Sequence, residues 1–217
     1  MMSELHLRDL QVSYDGTRAV FAPVSTTVYS GEVVAVTGSN GAGKSSLLAG
    51  IAGLLQPFGG SAKLHANNTQ FSDAELRSLC GYVSPGMSLY DELQAWEHVQ
   101  LDADLRGNAA DHSGMAADLQ YAEELLHRFG LHHRRESLIG DFSTGMKQRV
   151  KLVLAMYSRP ALLLLDEPTS NIDDDGFTVF ADVVAEAAYA GCIVIIATND
   201  ERERALCVRE VRLASAV

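Results

Sequence analysis

From residue 4 to residue 14 apolar positions (Leu5, Leu7, Leu10, Val12, Tyr14) are interleaved with polar ones. A near-twofold period of this kind belongs to a half-exposed strand, and Asp15-Gly16 then turns the chain. Residues 19–30 read as further strand and Ser30-Gly31-Glu32 as a second turn, so the opening predicts antiparallel sheet. The run Glu32-Val-Val-Ala-Val-Thr37 predicts a buried strand. From Ser45 to Leu55 the period becomes helical, with Leu47, Leu48, Ile51, Leu54 and Leu55 on one stripe. Gln56-Pro57-Phe58-Gly59-Gly60 is expected to stop that helix.

Residues 62–71 suit a strand or an edge loop, and Ser72-Asp73 suits the cap of a short helix, Ala74 to Leu79. Residues 91–137 are helix-rich. Leu93 to Leu105 and Met115 to Phe129 carry apolar residues at helical spacing, separated by a polar, glycine-containing and flexible stretch, Arg106 to Gly114. His132-His133-Arg134-Arg135 reads as a solvated turn, and Ser143 to Ser158 as a helix stopped by Arg159-Pro160. Leu162–Leu165 and Cys192–Ala197 are short apolar strands on either side of a helix from about Gly176 to Ala190. That alternation implies a parallel, buried sheet.

With 217 residues, 47% of them hydrophobic, the chain can bury a sizeable core. Its formal net charge of −11 argues against binding to nucleic acid or to an anionic membrane. Cys80, Cys192 and Cys207 lack metal-ligand spacing and read as core thiols of a reducing compartment. Neither a signal-peptide pattern nor a bilayer-spanning run is visible, so a membrane role is expected only through a partner.

Gly38-Ser39-Asn40-Gly41-Ala42-Gly43-Lys44-Ser45-Ser46 fits G-x-x-x-x-G-K-[ST] between the predicted strand and helix. Strand, glycine loop and helix form the context in which this motif wraps the phosphates of a nucleoside triphosphate. The glycines let backbone N–H groups close on phosphate oxygens, and the helix dipole faces the same anion. Lys44 is expected on the β- and γ-phosphates and the Ser45 hydroxyl on Mg²⁺. The strand Leu162–Leu165 ends in Asp166-Glu167, and ligands of parallel sheets bind at the carboxyl ends of strands. Asp166 is therefore a candidate to hold Mg²⁺ through water, and Glu167 to polarise an attacking water.

Phe142-Ser143-Thr144-Gly145-Met146-Lys147-Gln148-Arg149 opens the next helix, with Ser143 as its N-cap. Together these motifs make the chain resemble, over essentially its whole length, the nucleotide-binding subunit of an ATP-binding-cassette (ABC) transporter. Phe142–Met146 stands where that family has Leu-Ser-Gly-Gly-Gln, matching at Ser143 and Gly145. Asp166-Glu167-Pro168-Thr169-Ser170-Asn171-Ile172-Asp173 matches the acidic motif and the D-loop, with Asp173 in register. Tyr14 stands where the family stacks an aromatic ring on adenine.

The resemblance implies an α/β fold. It comprises a P-loop NTPase core with a mainly parallel sheet, an N-terminal antiparallel β subdomain and a helical subdomain at about 75–142, within one ABC ATPase domain spanning 1–217. It implies ATP and Mg²⁺ as ligands and ATP hydrolysis that powers a membrane transporter. Two such subunits, identical or not, would pair head to tail, each ATP on one phosphate loop meeting Ser143 and Gly145 of the other subunit. It implies a cytoplasmic protein held at the inner face of the membrane by an integral membrane subunit. The segment Ser84 to Trp96 is the candidate docking surface; its Met87, Leu89, Tyr90 and Trp96 either meet a partner helix or pack inside the subdomain. The chain is most similar to small export-type subunits, including those associated with haem export.

Besides Thr144 and Met146 in Phe142–Met146, two further positions depart from the family pattern. Pro85 replaces the usual glutamine, and Asn199 the usual histidine after the last core strand. An amide NH₂ still donates to a γ-phosphate but carries no titratable charge. Glu167 is thus expected as general base, with Lys44 and a weaker sensor, Asn199, beside it. The alternatives are a soluble ABC-type ATPase acting on DNA or ribosomes, and a nucleotide-binding switch with little hydrolysis.

Overall fold

The computed structural model describes residues 3–66, 69–107 and 115–214. The chain opens with β1 (Ser3–Val12), β2 (Val24–Tyr29) and β3 (Val33–Thr37), then α1 (Lys44–Ile51), β4 (Pro57–Ala66) and β5 (Thr69–Gln70). It continues through α2 (Asp73–Leu79), β6 (Cys80–Val83), α3 (Ala95–Gly107), α4 (Met115–Arg128) and α5 (Thr144–Met156). It closes with β7 (Leu162–Asp166), α6 (Asp174–Tyr189), β8 (Ile193–Ala197), α7 (Glu201–Arg204) and β9 (Arg209–Arg212).

Among the described residues these strands make two sheets, an antiparallel β2-β1-β4-β5 and a parallel β6-β7-β8-β3-β9. The alternation at the start of the chain is therefore antiparallel sheet, and the apolar runs are the buried parallel strands. β3, β7 and β8 are buried at every position. Side chains of adjacent strand residues point to opposite faces, and β7 and β8 divide accordingly. Leu163, Leu165, Val194 and Ile196 pack with Val153, Phe180 and Val183 in a helical cluster. Leu162, Leu164, Ile193 and Ile195 pack with Leu47, Leu48, Ile51 and the antiparallel sheet.

The first helix is shorter than its periodicity predicts. It ends at Ile51, Gly53 takes φ +69°, and Leu54 is 58% exposed, off the buried stripe. Gln56–Gly60 does not stop it; Pro57–Gly60 already belongs to β4. Gly60 lies against a bulge in β1, at φ +69°, where a Cβ would stand 2.1 Å from the Arg8 carbonyl oxygen. A residue that reads as a breaker is here the one that lets two strands approach.

α2 carries the expected cap: the Ser72 hydroxyl accepts from Glu75 N and the Glu75 carboxyl accepts from Ser72 N, a capping box. The segment 75–142 contributes β6 to the parallel sheet and α3 and α4 to the helical layer. The flexible stretch expected at Arg106–Gly114 lies outside the described residues beyond Gly107. His132–Arg134 forms a 3₁₀ turn with both histidines exposed. Cys80 and Cys192 are buried, Cys207 only partly. Among the described residues no helix is long and apolar enough to cross a membrane.

Candidate functional site

Three loops meet at the carboxyl edge of the parallel sheet. The order β7-β8-β3 puts the ends of these strands side by side. β3 runs into Gly38–Gly43, β7 ends in Asp166-Glu167, and β8 runs into Thr198-Asn199. Backbone bonds lock them together: Thr198 N donates to Val36 O at 3.0 Å and Glu167 N to Ala197 O at 2.9 Å.

The glycine loop is coiled by positive φ at Gly38, Gly41 and Gly43. A Cβ on Gly43 would sit 2.8 Å from both Val20 and Phe21, so only glycine fits there. Lys44 is 7% exposed, and its ammonium donates to the Gly38 carbonyl at 3.1 Å, folded back across the loop. Ser39, Asn40, Gly41 and Ser45 are exposed while Ala42 and Ser46 are buried. The Ser46 hydroxyl lies 2.7 Å from the Tyr14 hydroxyl, and the Tyr14 ring is 72% exposed beside the loop. Asp15 braces that ring's turn by accepting from Thr17 N and Arg18 N, which holds its carboxyl well below the usual range.

Asp166 is 2% exposed and hydrogen-bonded to the Ser45 hydroxyl, and its Oδ2 has no hydrogen-bond partner. Burial raises its pKa above the ordinary 3.8, with Glu167 adding to the rise and Ser45 and Lys44 opposing it. A buried carboxyl oxygen without a partner, next to a hydroxyl and an ammonium, fits a hard divalent cation that takes oxygen ligands. Glu167 is exposed and held at φ +47°. It opens on a cleft of about 400 Å³ shared with Pro85, Leu89, Thr144, Lys151 and Asn171. Burial and the nearby Lys147 hold the Lys151 ammonium below the ordinary lysine value.

The Asn199 amide lies in the phosphate loop. In the orientation that satisfies it, its NH₂ donates to Gly38 O at 2.9 Å and its oxygen accepts from Lys44 Nζ at 3.2 Å. Asn199 thus ties the Gly38 carbonyl to the Lys44 ammonium, the donor that a triphosphate tail would face. The sequence-predicted residues Tyr14, Gly38–Ser46, Asp166, Glu167 and Asn199 form one cluster.

Ser143, Gly145 and Asp173 belong to a second cluster. Ser143 caps α5 by accepting from Met146 N. Gly145 lies against the D-loop: a Cβ there would be 2.5 Å from Asn171 O. Asp173 caps α6 by accepting from Gly176 N at 2.8 Å, and also accepts from Arg149 at 2.6 Å. Of the expected docking residues Tyr90 alone is fully exposed, at 63%; Met87, Leu89 and Trp96 are half-buried against the helical core.

Two polar groups that sequence reasoning passed over lie beneath the acids. Gln148 of α5 donates to Pro168 O, and Glu203 of α7 accepts from Thr169 N and from the Thr169 hydroxyl. Gln148 sits within Phe142–Arg149 and Glu203 within the charged run Asp200–Arg204, and neither run signals burial.

The ABC transporter family profile matches residues 21–170. A Bacillus subtilis "uncharacterized ABC transporter ATP-binding protein" is 31% identical over 95% of this chain, which spans 65% of that protein's length. The ergothioneine transport ATP-binding protein of Helicobacter pylori is 35% identical over 86% of this chain and 85% of its own. A solved ATP-binding subunit of an ABC transporter superposes with a TM-score of 0.83 at 30% identity, over 96% of this chain and 85% of that one. Matching the family profile over more than half of its residues and the fold of a solved family subunit, this chain belongs to the ABC transporter family.

Proposed function

We propose that this chain binds ATP with Mg²⁺, hydrolyses it, and so drives an integral membrane transporter subunit to which it attaches at the cytoplasmic face. The observation that carries the reading is the convergence of Lys44, Ser45, Asp166, Glu167 and Asn199 on adjacent strand ends. The backbone N–H groups of Gly41–Ser45 and the Lys44 ammonium receive the phosphates, and the exposed Tyr14 ring receives the base. Ser45 and Asp166 hold Mg²⁺, which supplies charge neutralisation to the phosphates when bound. Glu167, open to the cleft, takes the proton of the attacking water as general base. Asn199 positions the Lys44 ammonium and turns its amide to the terminal phosphate.

Within one chain the start of α5 is engaged elsewhere than at Lys44: Gly145 packs on Asn171, and the Ser143 hydroxyl accepts from Met146 N. A second copy or a non-identical subunit, placed head to tail, brings that helix start onto the phosphate loop, so that ATP joins the pair and hydrolysis releases it. The test is ATP binding and hydrolysis by the purified chain. Lys44→Ala is expected to weaken ATP binding about tenfold or more. Glu167→Gln is expected to lose about 10²-fold or more in kcat while still binding ATP. Undiminished hydrolysis by Glu167→Gln would remove Glu167 from the role of base. Tight binding without hydrolysis in the unsubstituted chain would favour a nucleotide switch, which the Asn199 amide also suits.

A further inference from the structure

Pro168 and Thr169 share a peptide group, and buried side chains from two different helices hold both of its ends. Its carbonyl accepts from Gln148 Nε2 of α5 at 2.8 Å, and its N–H donates to Glu203 Oε1 of α7 at 2.9 Å. The Thr169 hydroxyl donates to the same Glu203 oxygen. Gln148 is 8% exposed, Thr169 5% and Glu203 2%. Burying a carboxyl group is unfavourable unless hydrogen bonds offset it. Both hydrogen bonds that the Glu203 carboxyl makes go to Thr169, and its second oxygen has none. Among the described residues, then, the buried Glu203 carboxyl is hydrogen-bonded to this loop alone.

The gripped peptide directly follows Glu167-Pro168. Glu167 is in the left-handed region at φ +47°, where a side chain with a Cβ is strained, and a following proline narrows its backbone further. Such a conformation persists only where neighbours over-determine it. Three anchors do so here: Glu167 N on Ala197 O, Gln148 on the Pro168 carbonyl, and Glu203 on Thr169.

We propose that Gln148 and Glu203 form a two-sided clamp on the 168–169 peptide that sets the position of the Glu167 carboxyl group for hydrolysis. They are positioning residues, because they act on backbone. Ser143 caps α5 and Gly145 lies in its first turn, and Asn199 precedes Asp200, the N-cap of α7. The clamp therefore makes the aim of Glu167 depend on where both α5 and the loop that carries Asn199 stand. A partner subunit that moves α5 moves the base with it.

This inference rests on the ATPase reading. The experiment measures steady-state hydrolysis and ATP affinity of the full chain. Gln148→Ala and Glu203→Ala are each expected to lower kcat about tenfold or more, since small misplacements of a reacting group are costly. ATP affinity is expected to stay within about twofold of the unsubstituted chain, a split that marks an interaction realised in the reaction step. Glu203→Gln keeps an oxygen acceptor for Thr169 and is expected to recover most of the kcat. Gln148→Glu keeps the volume, removes the donor and is expected to lose it. These two near-isosteric variants decide the matter if an alanine variant does not fold. Both residues hold one peptide, so the double alanine variant is expected to cost less than the sum of the two. Unchanged kcat, a matching loss of ATP affinity, or additive losses would overturn the clamp alone. Absence of hydrolysis in the unsubstituted chain would overturn the ATPase reading and the clamp's role with it.

Discussion

Asp166 is held where a carboxyl group is least stable as an ion, 2% exposed and with one oxygen unpartnered. Its pKa is shifted upward from 3.8, so the penalty is absent well below that pH, grows as the unfolded chain ionises first, and is complete above the folded-state value. Asp166→Asn is therefore expected to raise the thermal midpoint at pH 7, measured without added metal. The gain should vanish near pH 3, and Mg²⁺-dependent ATP binding should weaken in the same variant. Melting curves at the two pH values check the sign; a lower midpoint at pH 7 would contradict it. The thiols give a second residue-scale expectation. Burial pushes Cys80 and Cys192 up to about 12 and Cys207 up to about 11. In mass-resolved alkylation of the folded chain, the half-buried Cys207 should label first and the other two only on unfolding. The place of Lys44 and Asp166 in the candidate site was legible because it is written locally, in a glycine loop and at a strand end. Glu203 was not: nothing in Asp-Glu-Arg-Glu-Arg says that one of its acids faces Thr169, thirty-four positions upstream.

At the scale of elements, the start of α5 depends on one missing methyl group. A Cβ at Gly145 would stand 2.5 Å from the Asn171 carbonyl oxygen, and backbone on that side cannot swing away as a side chain would. Gly145→Ala is expected to destabilise the chain by about 1–3 kcal/mol in urea unfolding, the usual cost of overpacking. An unchanged midpoint would mean that α5 and the D-loop separate freely. Periodicity located α3, α4, α5 and α6 well because their apolar faces meet a core. It overran α1, where Leu54 continued the count but the chain had already turned at Gly53. It missed the beginning of β4 because Pro57 and Gly59-Gly60 look like breakers, whereas the bulge in β1 requires a glycine opposite it.

For the whole molecule, the two clusters predict an assembly. Lys44 and Asp166 lie in one cluster and Ser143 and Gly145 in the other. In saturating ATP and Mg²⁺ the Glu167→Gln chain is expected to sediment as a dimer and to return to monomer when ATP is removed. A monomer throughout would mean that the second helix start comes from a non-identical subunit. The layered α/β plan, with its antiparallel and parallel sheets, was legible from alternation and apolar runs. The proposed division of the site between two copies rests on resemblance, since no local pattern states which surfaces of a chain remain apart.

β8 sits at the centre of the parallel sheet, hydrogen-bonded along both edges and covered on both faces. The phosphate loop and the two acids leave from its immediate neighbours, and Asn199 leaves from its own end. Its amides should be the last in the molecule to take up deuterium. A candidate site ruled off from the slowest-opening strand keeps its dimensions while the outer layers breathe, so heat or denaturant should loosen the helical face well before it blurs the spacing of Lys44, Asp166 and Asn199.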